Sequence, residues 1–127
     1  MPTLDDDEVW SVCKLGYQLY VRERYDEAAK IFNGLVSLDD SLGYPWHALG
    51  LIARKQGDVQ RAVDCFRKRL DLEPDASETR LSLAETLDRH GYREDAADVL
   101  AHFSRHADDE SPAAIRGRAL LERWTTG

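Results

Sequence analysis

The sequence predicts an all-α protein, an array of paired helices closed by one further helix. Three observations carry this. Four columns of residues recur every 34 positions in three gapless copies: Leu15, Leu49 and Leu83; Gly16, Gly50 and Ala84; Ala28, Ala62 and Ala96; Phe32, Phe66 and Leu100. Glycines fall midway through two of the copies, at Gly57 and Gly91. The last stretch has helical spacing on one face only, with Ala114, Gly117, Leu121 and Trp124 spaced by 3, 4 and 3. A chain of 127 residues supports one domain with a modest core.

In chain order, residues 1–8 are an N-terminal segment. It reads Met-Pro-Thr-Leu-Asp-Asp-Asp-Glu, without the basic and apolar stretches of a signal peptide. Its acidic run, Asp5 to Glu8, suits the start of a helix. The copies then occupy 9–42, 43–76 and 77–110. In each, the small residues at Gly16, Gly50 and Ala84 admit a second helix, and Ala28, Ala62 and Ala96 admit the first. Leu15, Leu49 and Leu83 are expected to fill the space between the two, and Trp46 and Ala62 to lie inside the second pair.

Gly57 and Gly91 stand where the first helix must stop, in the left-handed conformation that glycine accepts. Copy one has Glu23 there, so its turn is expected to be less relaxed. Pro74 ends copy two, since proline cannot continue a helix. Asp40 and Asp108 replace it in the other copies. Residues 111–127 form a capping helix, with Ser111-Pro112 as N-cap and first residue behind Asp108, Asp109 and Glu110.

Composition narrows the function. Hydrophobic residues make up 43% and charged residues 32%, an ordinary globular balance. The net charge of −7 disfavours a phosphate backbone as partner, which calls for clustered Lys and Arg. No apolar run reaches the roughly 20 residues of a membrane span, so no membrane insertion is expected. The reading is a cytoplasmic protein whose two cysteines, Cys13 and Cys65, are reduced.

Nothing in the sequence assembles a catalytic set, and the protein is expected not to be an enzyme. His102 and His106 are four apart, but no further ligand is spaced to join them, so neither metal nor cofactor is expected. Gly57 and Gly91 are repeat turns, not a phosphate loop.

The pattern resembles the tetratricopeptide repeat, which has Trp-x-x-Leu-Gly, then Ala, Phe and Pro over 34 residues. Copy two matches best, through Trp46, Leu49, Gly50, Gly57, Ala62, Phe66 and Pro74. Copy one departs at Val12 and Asp40, and copy three at Arg80, Ala84, Leu100 and Asp108. The resemblance covers residues 9–110. It implies a right-handed superhelical array whose inner groove is lined by the first helix of each pair.

The family's inward positions fall here on Trp10, Cys13, Tyr17, Tyr20 and Val21 in copy one. They fall on Tyr44, His47, Leu51, Arg54 and Lys55 in copy two, and on Leu81 and Glu85 among others in copy three. This implies a protein or peptide segment as partner, anchored by aromatic side chains. The family's carboxylate clamp is not expected, because Cys13 and Tyr17 stand where it uses Lys and Asn.

More narrowly, the chain is similar to the class II chaperones of bacterial type III secretion. The likeness rests on Tyr17-Gln18-Leu19-Tyr20, on Tyr25 to Phe32, on Leu38-Asp39 and on Leu49 to Gly57. It implies a chaperone that holds an extended segment of a translocator protein, with Tyr17 and Tyr20 at aromatic groove positions. The family has a longer leader, with a helix used in dimerisation, where eight residues precede the first repeat here. Two other readings use the same surface: a general adaptor or assembly scaffold, and a structural subunit that assembles as a homo-oligomer.

Overall fold

A computed structural model of the protein describes residues 4–126. Residues 1–3 of the N-terminal segment and Gly127 of the capping segment lie outside the described residues. The described chain is helix and turn throughout. In order it forms α1 (Asp6–Val21), α2 (Tyr25–Leu38), α3 (Gly43–Lys55), α4 (Val59–Leu72), α5 (Ser77–Arg89), α6 (Arg93–Arg105) and α7 (Pro112–Thr126). None of these helices is long and apolar enough to cross a membrane. The chain divides into two compact units, Met1–Leu72 and Glu73–Gly127.

Local signals start and stop the helices. Asp5 caps α1 by accepting from the Glu8 N–H at 2.8 Å, and Glu8 returns the bond to the Asp5 N–H at 3.1 Å. The acidic run at the start thus acts as a capping box. Asp58 accepts from the Arg61 N–H in front of α4, and Ser111 Oγ from the Ala114 N–H in front of α7.

The three turns within the pairs share one hydrogen-bond pattern. The N–H groups of Arg24, Asp58 and Tyr92 each reach back five residues, to the carbonyls of Leu19, Ala53 and Leu87, at 2.9 Å. That closure puts the residue before each donor in the left-handed region. Gly57 has φ +80° and Gly91 φ +89°, and Glu23 is held at φ +62° in the same place. The strain expected in the first turn is therefore present as a backbone angle.

In the first unit the core runs through Cys13, Ala28, Phe32, Leu35, Ala48, Leu49, Ile52 and Cys65. The small-residue columns hold the helices close. A methyl group on Gly16 would stand 2.6 Å from the Phe32 ring, and one on Gly50 would stand 2.4 Å from the Phe66 ring. Ala28 and Ala62 are fully buried.

Leu15 corrects the expectation for its column. Leu49 and Leu83 are buried, but Leu15 is 48% exposed. Leu49 belongs to the cluster that also holds Phe32 and Leu35 of the preceding pair. That face of α3 therefore meets the pair before it, whereas no described helix precedes α1 to cover Leu15. Trp46 is only partly buried. Its Nε1 donates to the Asp40 carbonyl at 2.9 Å, and Lys68 Nζ lies 5.9 Å from the ring centroid. The need of the indole N–H for an acceptor keeps it near the surface.

In the second unit, α5 and α6 pair around Leu83, Ala84, Ala96, Leu100 and Phe103, all buried. Helix α7 packs on both through Ala113, Ala114 and Gly117, as a capping helix should. A methyl on Gly117 would come 2.4 Å from the Phe103 ring. Asp109 does more than favour a helix start. It accepts from Ser77 Oγ at 2.5 Å and from the Ser111 N–H at 2.9 Å, joining the starts of α5 and α7. Those bonds, the Ser77 hydroxyl first, hold its carboxyl down at about 2.

Candidate functional site

Helix α1 carries Trp10, Cys13, Tyr17 and Tyr20 at spacings of 3, 4 and 3, and α3 carries Tyr44, His47, Leu51 and Arg54 at the same spacings. Each set occupies one helix face. The fold brings the two faces together, because α1 and α3 both pack against α2 and touch each other. Between them lies a cavity of about 320 Å³, lined by Trp10, Cys13, Lys14, Tyr17, Gln18 and Tyr44. It continues past Trp10, Cys13 and Tyr44 towards Asp6 and Pro45. In the other direction it continues past Tyr17 and Tyr44 to Tyr20, Ala48 and Leu51.

The side chains divide into walls and floor. Trp10, Tyr17 and Tyr44 form the walls and are 62%, 53% and 38% exposed. Tyr20 and Leu51 are half-buried. Rings meet along the walls, with Tyr17 to Tyr20 at 6.4 Å and Tyr20 to Tyr25 at 5.7 Å between centroids. Phe32 meets Tyr44 edge-on at 6.3 Å, which fixes the tyrosine against the core.

Cys13 and His47, expected to face a groove, are buried. Cys13 reaches the cavity as its floor. His47 lies beneath, with its ring 6.4 Å from Tyr44 and 5.7 Å from Phe66. Both positions face the neighbouring helix as well as the groove, and packing takes the side chain inward.

The floor is uncharged. Burial pushes the Cys13 thiol up. Burial, followed by the charges of Arg69 and Arg54, pushes His47 down to about 4. Burial raises the Tyr20 hydroxyl, Arg54 acts against that, and Tyr25 and Tyr17 add to it. Neutral thiol, imidazole and phenol make an apolar bed with hydroxyl handles, fit for binding and empty of an activated nucleophile. Charge sits at the edges, on exposed Lys14 and Lys55 and half-buried Arg54.

Leu81 and Glu85 lie on α5 in the second unit. Leu81 is half-buried, and Glu85 Oε2 accepts from Arg116 of α7 at 3.3 Å. Elsewhere in that unit the rings of His102 and His106 stack at 4.0 Å, beside a cavity lined by Asp75, Glu78 and Asp108. Among the described residues no three His, Cys, Asp or Glu side chains are grouped to hold a metal ion.

Sequence reasoning missed Lys14 and Gln18 as lining residues. The signal was available, because they follow Trp10 by four and eight positions, on the edge of the same stripe.

Residues 43–76 match the family model described as tetratricopeptide repeat. No curated protein sequence matches the chain. Several solved structures share its fold. One is PcrH in complex with the chaperone binding region of PopD, at 22% identity and TM-score 0.86, with 98% of this chain and 96% of that one covered. PcrH is from Pseudomonas aeruginosa. A second is the Yersinia enterocolitica type III secretion chaperone SycD in complex with a peptide of the translocator YopD, at 19% identity and TM-score 0.82, covering 96% and 95%. A third is a T3SS complex from Aeromonas hydrophila, at 25% identity and TM-score 0.83, covering 96% and 83%.

Proposed function

From a chain that carries a tetratricopeptide repeat, within a fold shared by PcrH and SycD, we propose a non-catalytic chaperone that holds a segment of a type III secretion translocator between α1 and α3. One observation carries this reading. Three aromatic side chains, Trp10, Tyr17 and Tyr44, stand open to solvent around a cavity of about 320 Å³ with an uncharged floor. That volume lies at the lower end of ordinary ligand pockets and suits one or two bulky side chains of a client.

Exposed aromatics around an uncharged floor are costly for a free protein and useful for one that covers an apolar segment. PcrH was captured with the chaperone binding region of PopD, and SycD with a peptide of YopD. A client of that kind would be held here in the cytoplasm before export.

The test is co-expression with the translocator encoded nearby, followed by affinity measurement on tiled peptides of it. Tyr17→Ala with Tyr20→Ala should keep the helical content and lose affinity, since buried aromatic anchors contribute about 2 kcal/mol or more each. Unchanged affinity in the double variant would remove the cavity from the reading.

A second reading, self-assembly, draws on exposed Leu15 beside partly buried Val12 and Leu19 on α1. Sedimentation as a monomer at high concentration would discard it.

A further inference from the structure

The 320 Å³ part of the cavity between α1 and α3 has a single charged side chain among its lining residues, Lys14, and Asp6 lines only the continuation past Trp10. Three and four positions to either side of it stand Trp10, Ser11, Tyr17 and Gln18, so α1 offers Lys14 no carboxylate. It is exposed, and it makes no ion pair among the described residues. Basic charge recurs in the last turn of α3, at Arg54 and Lys55.

A ligand that buries its apolar side chain against Trp10 and Tyr17 also strips water from Lys14. Such desolvation is unfavourable unless an anion arrives with the ligand. A polyanion does not fit, because Asp6, Asp7 and Glu8 occupy the first turn of the same helix. A single carboxylate does.

Resting on the chaperone reading above, we infer that the segment held in this cavity carries an aspartate or glutamate beside its bulky apolar anchor. The anchor fills the cavity and the carboxylate accepts from Lys14 Nζ. The apolar walls supply affinity, and Lys14 sets the register of the segment along α1.

The experiment selects phage-displayed random dodecapeptides on the full chain. A representative binder is then synthesised with Asp, Asn or Lys at the acidic position, and affinities are measured by fluorescence polarisation. Acidic residues should be enriched next to a bulky apolar residue. Lys14→Gln should weaken the Asp peptide about three-fold, the scale of an exposed ion pair, and leave the Asn peptide unchanged. Lys14→Glu should weaken the Asp peptide further and bind the Lys peptide better than the parent does.

Binders that are lost on Tyr17→Ala, yet show no acidic enrichment and no response at Lys14, would overturn this inference and leave the chaperone reading standing. An absence of binders, or binders indifferent to Tyr17→Ala, would overturn both.

Discussion

Gly50 lies against Phe66 so closely that a Cβ on the glycine would stand 2.4 Å from the ring. Phe66 is fully buried and cannot swing aside. Alanine is the better helix former by about 1 kcal/mol, but overpacking a tight core costs about 1–3 kcal/mol. Gly50→Ala is therefore expected to lower the melting temperature by several degrees. Gly34, in the middle of α2, has nothing within 4 Å of such a Cβ. There the propensity term acts alone, and Gly34→Ala should raise the melting temperature. Thermal denaturation of the two variants side by side checks both signs.

Glu23 holds the left-handed angle that its counterparts Gly57 and Gly91 adopt. The conformation costs an ordinary residue roughly 1–2 kcal/mol, and glycine adopts it freely. Glu23→Gly should stabilise by roughly 0.5–1 kcal/mol after its extra freedom in the unfolded chain is counted. Urea unfolding should show the midpoint moving up with an unchanged slope.

Ala62 is fully buried where α3 and α4 meet. Ala62→Arg would overpack that contact and bury a charge, and is expected to unfold the first unit. Ala119, exposed on α7, is the control. Circular dichroism should show lost helix in the first variant and parental melting for Ala119→Arg.

His47 is displaced from its ordinary 6.5 to about 4, first by burial. As pH falls, the unfolded chain takes up this proton first and the folded chain resists it. The stability is whole above pH 6.5, declines between 6.5 and about 4, and levels off below. The full loss is roughly 3 kcal/mol. Urea midpoints at pH 7, 6 and 5 should fall more steeply for the parent than for His47→Gln. Parallel profiles would show that His47 is protonated as easily folded as unfolded.

The repeat was legible because each of its signals is local or periodic. The left-handed turn needs one residue type at one place, and Gly57 and Gly91 announce it. The pairing of Gly16 with Phe32 and of Gly50 with Phe66 recurs at a fixed spacing and marks two helix surfaces in contact. What depends on a neighbouring element was not legible. Leu15 belongs to a buried column by sequence and is exposed because no described element covers its face.

The candidate site was read in outline for the same reason. The resemblance to the tetratricopeptide repeat names Trp10, Tyr17 and Tyr44 as inward positions. Only the approach of α3 decides that Cys13 becomes floor, that His47 sinks beneath it and that Lys14 joins the lining.

Gly117 and Phe103 have a bearing on ancestry. Counted back by 34, they fall on the positions of Leu83 and Arg69, and by 68 on Leu49 and Leu35, which share one core cluster. Where two leucines share one core cluster in the first unit, the smallest residue meets a phenylalanine in the second, at the same separation of 14 positions of chain. A large residue cannot arise at 117 in a descendant unless 103 shrinks first. The two sites should therefore change together, and related chains should separate into lineages that keep one pairing or the other.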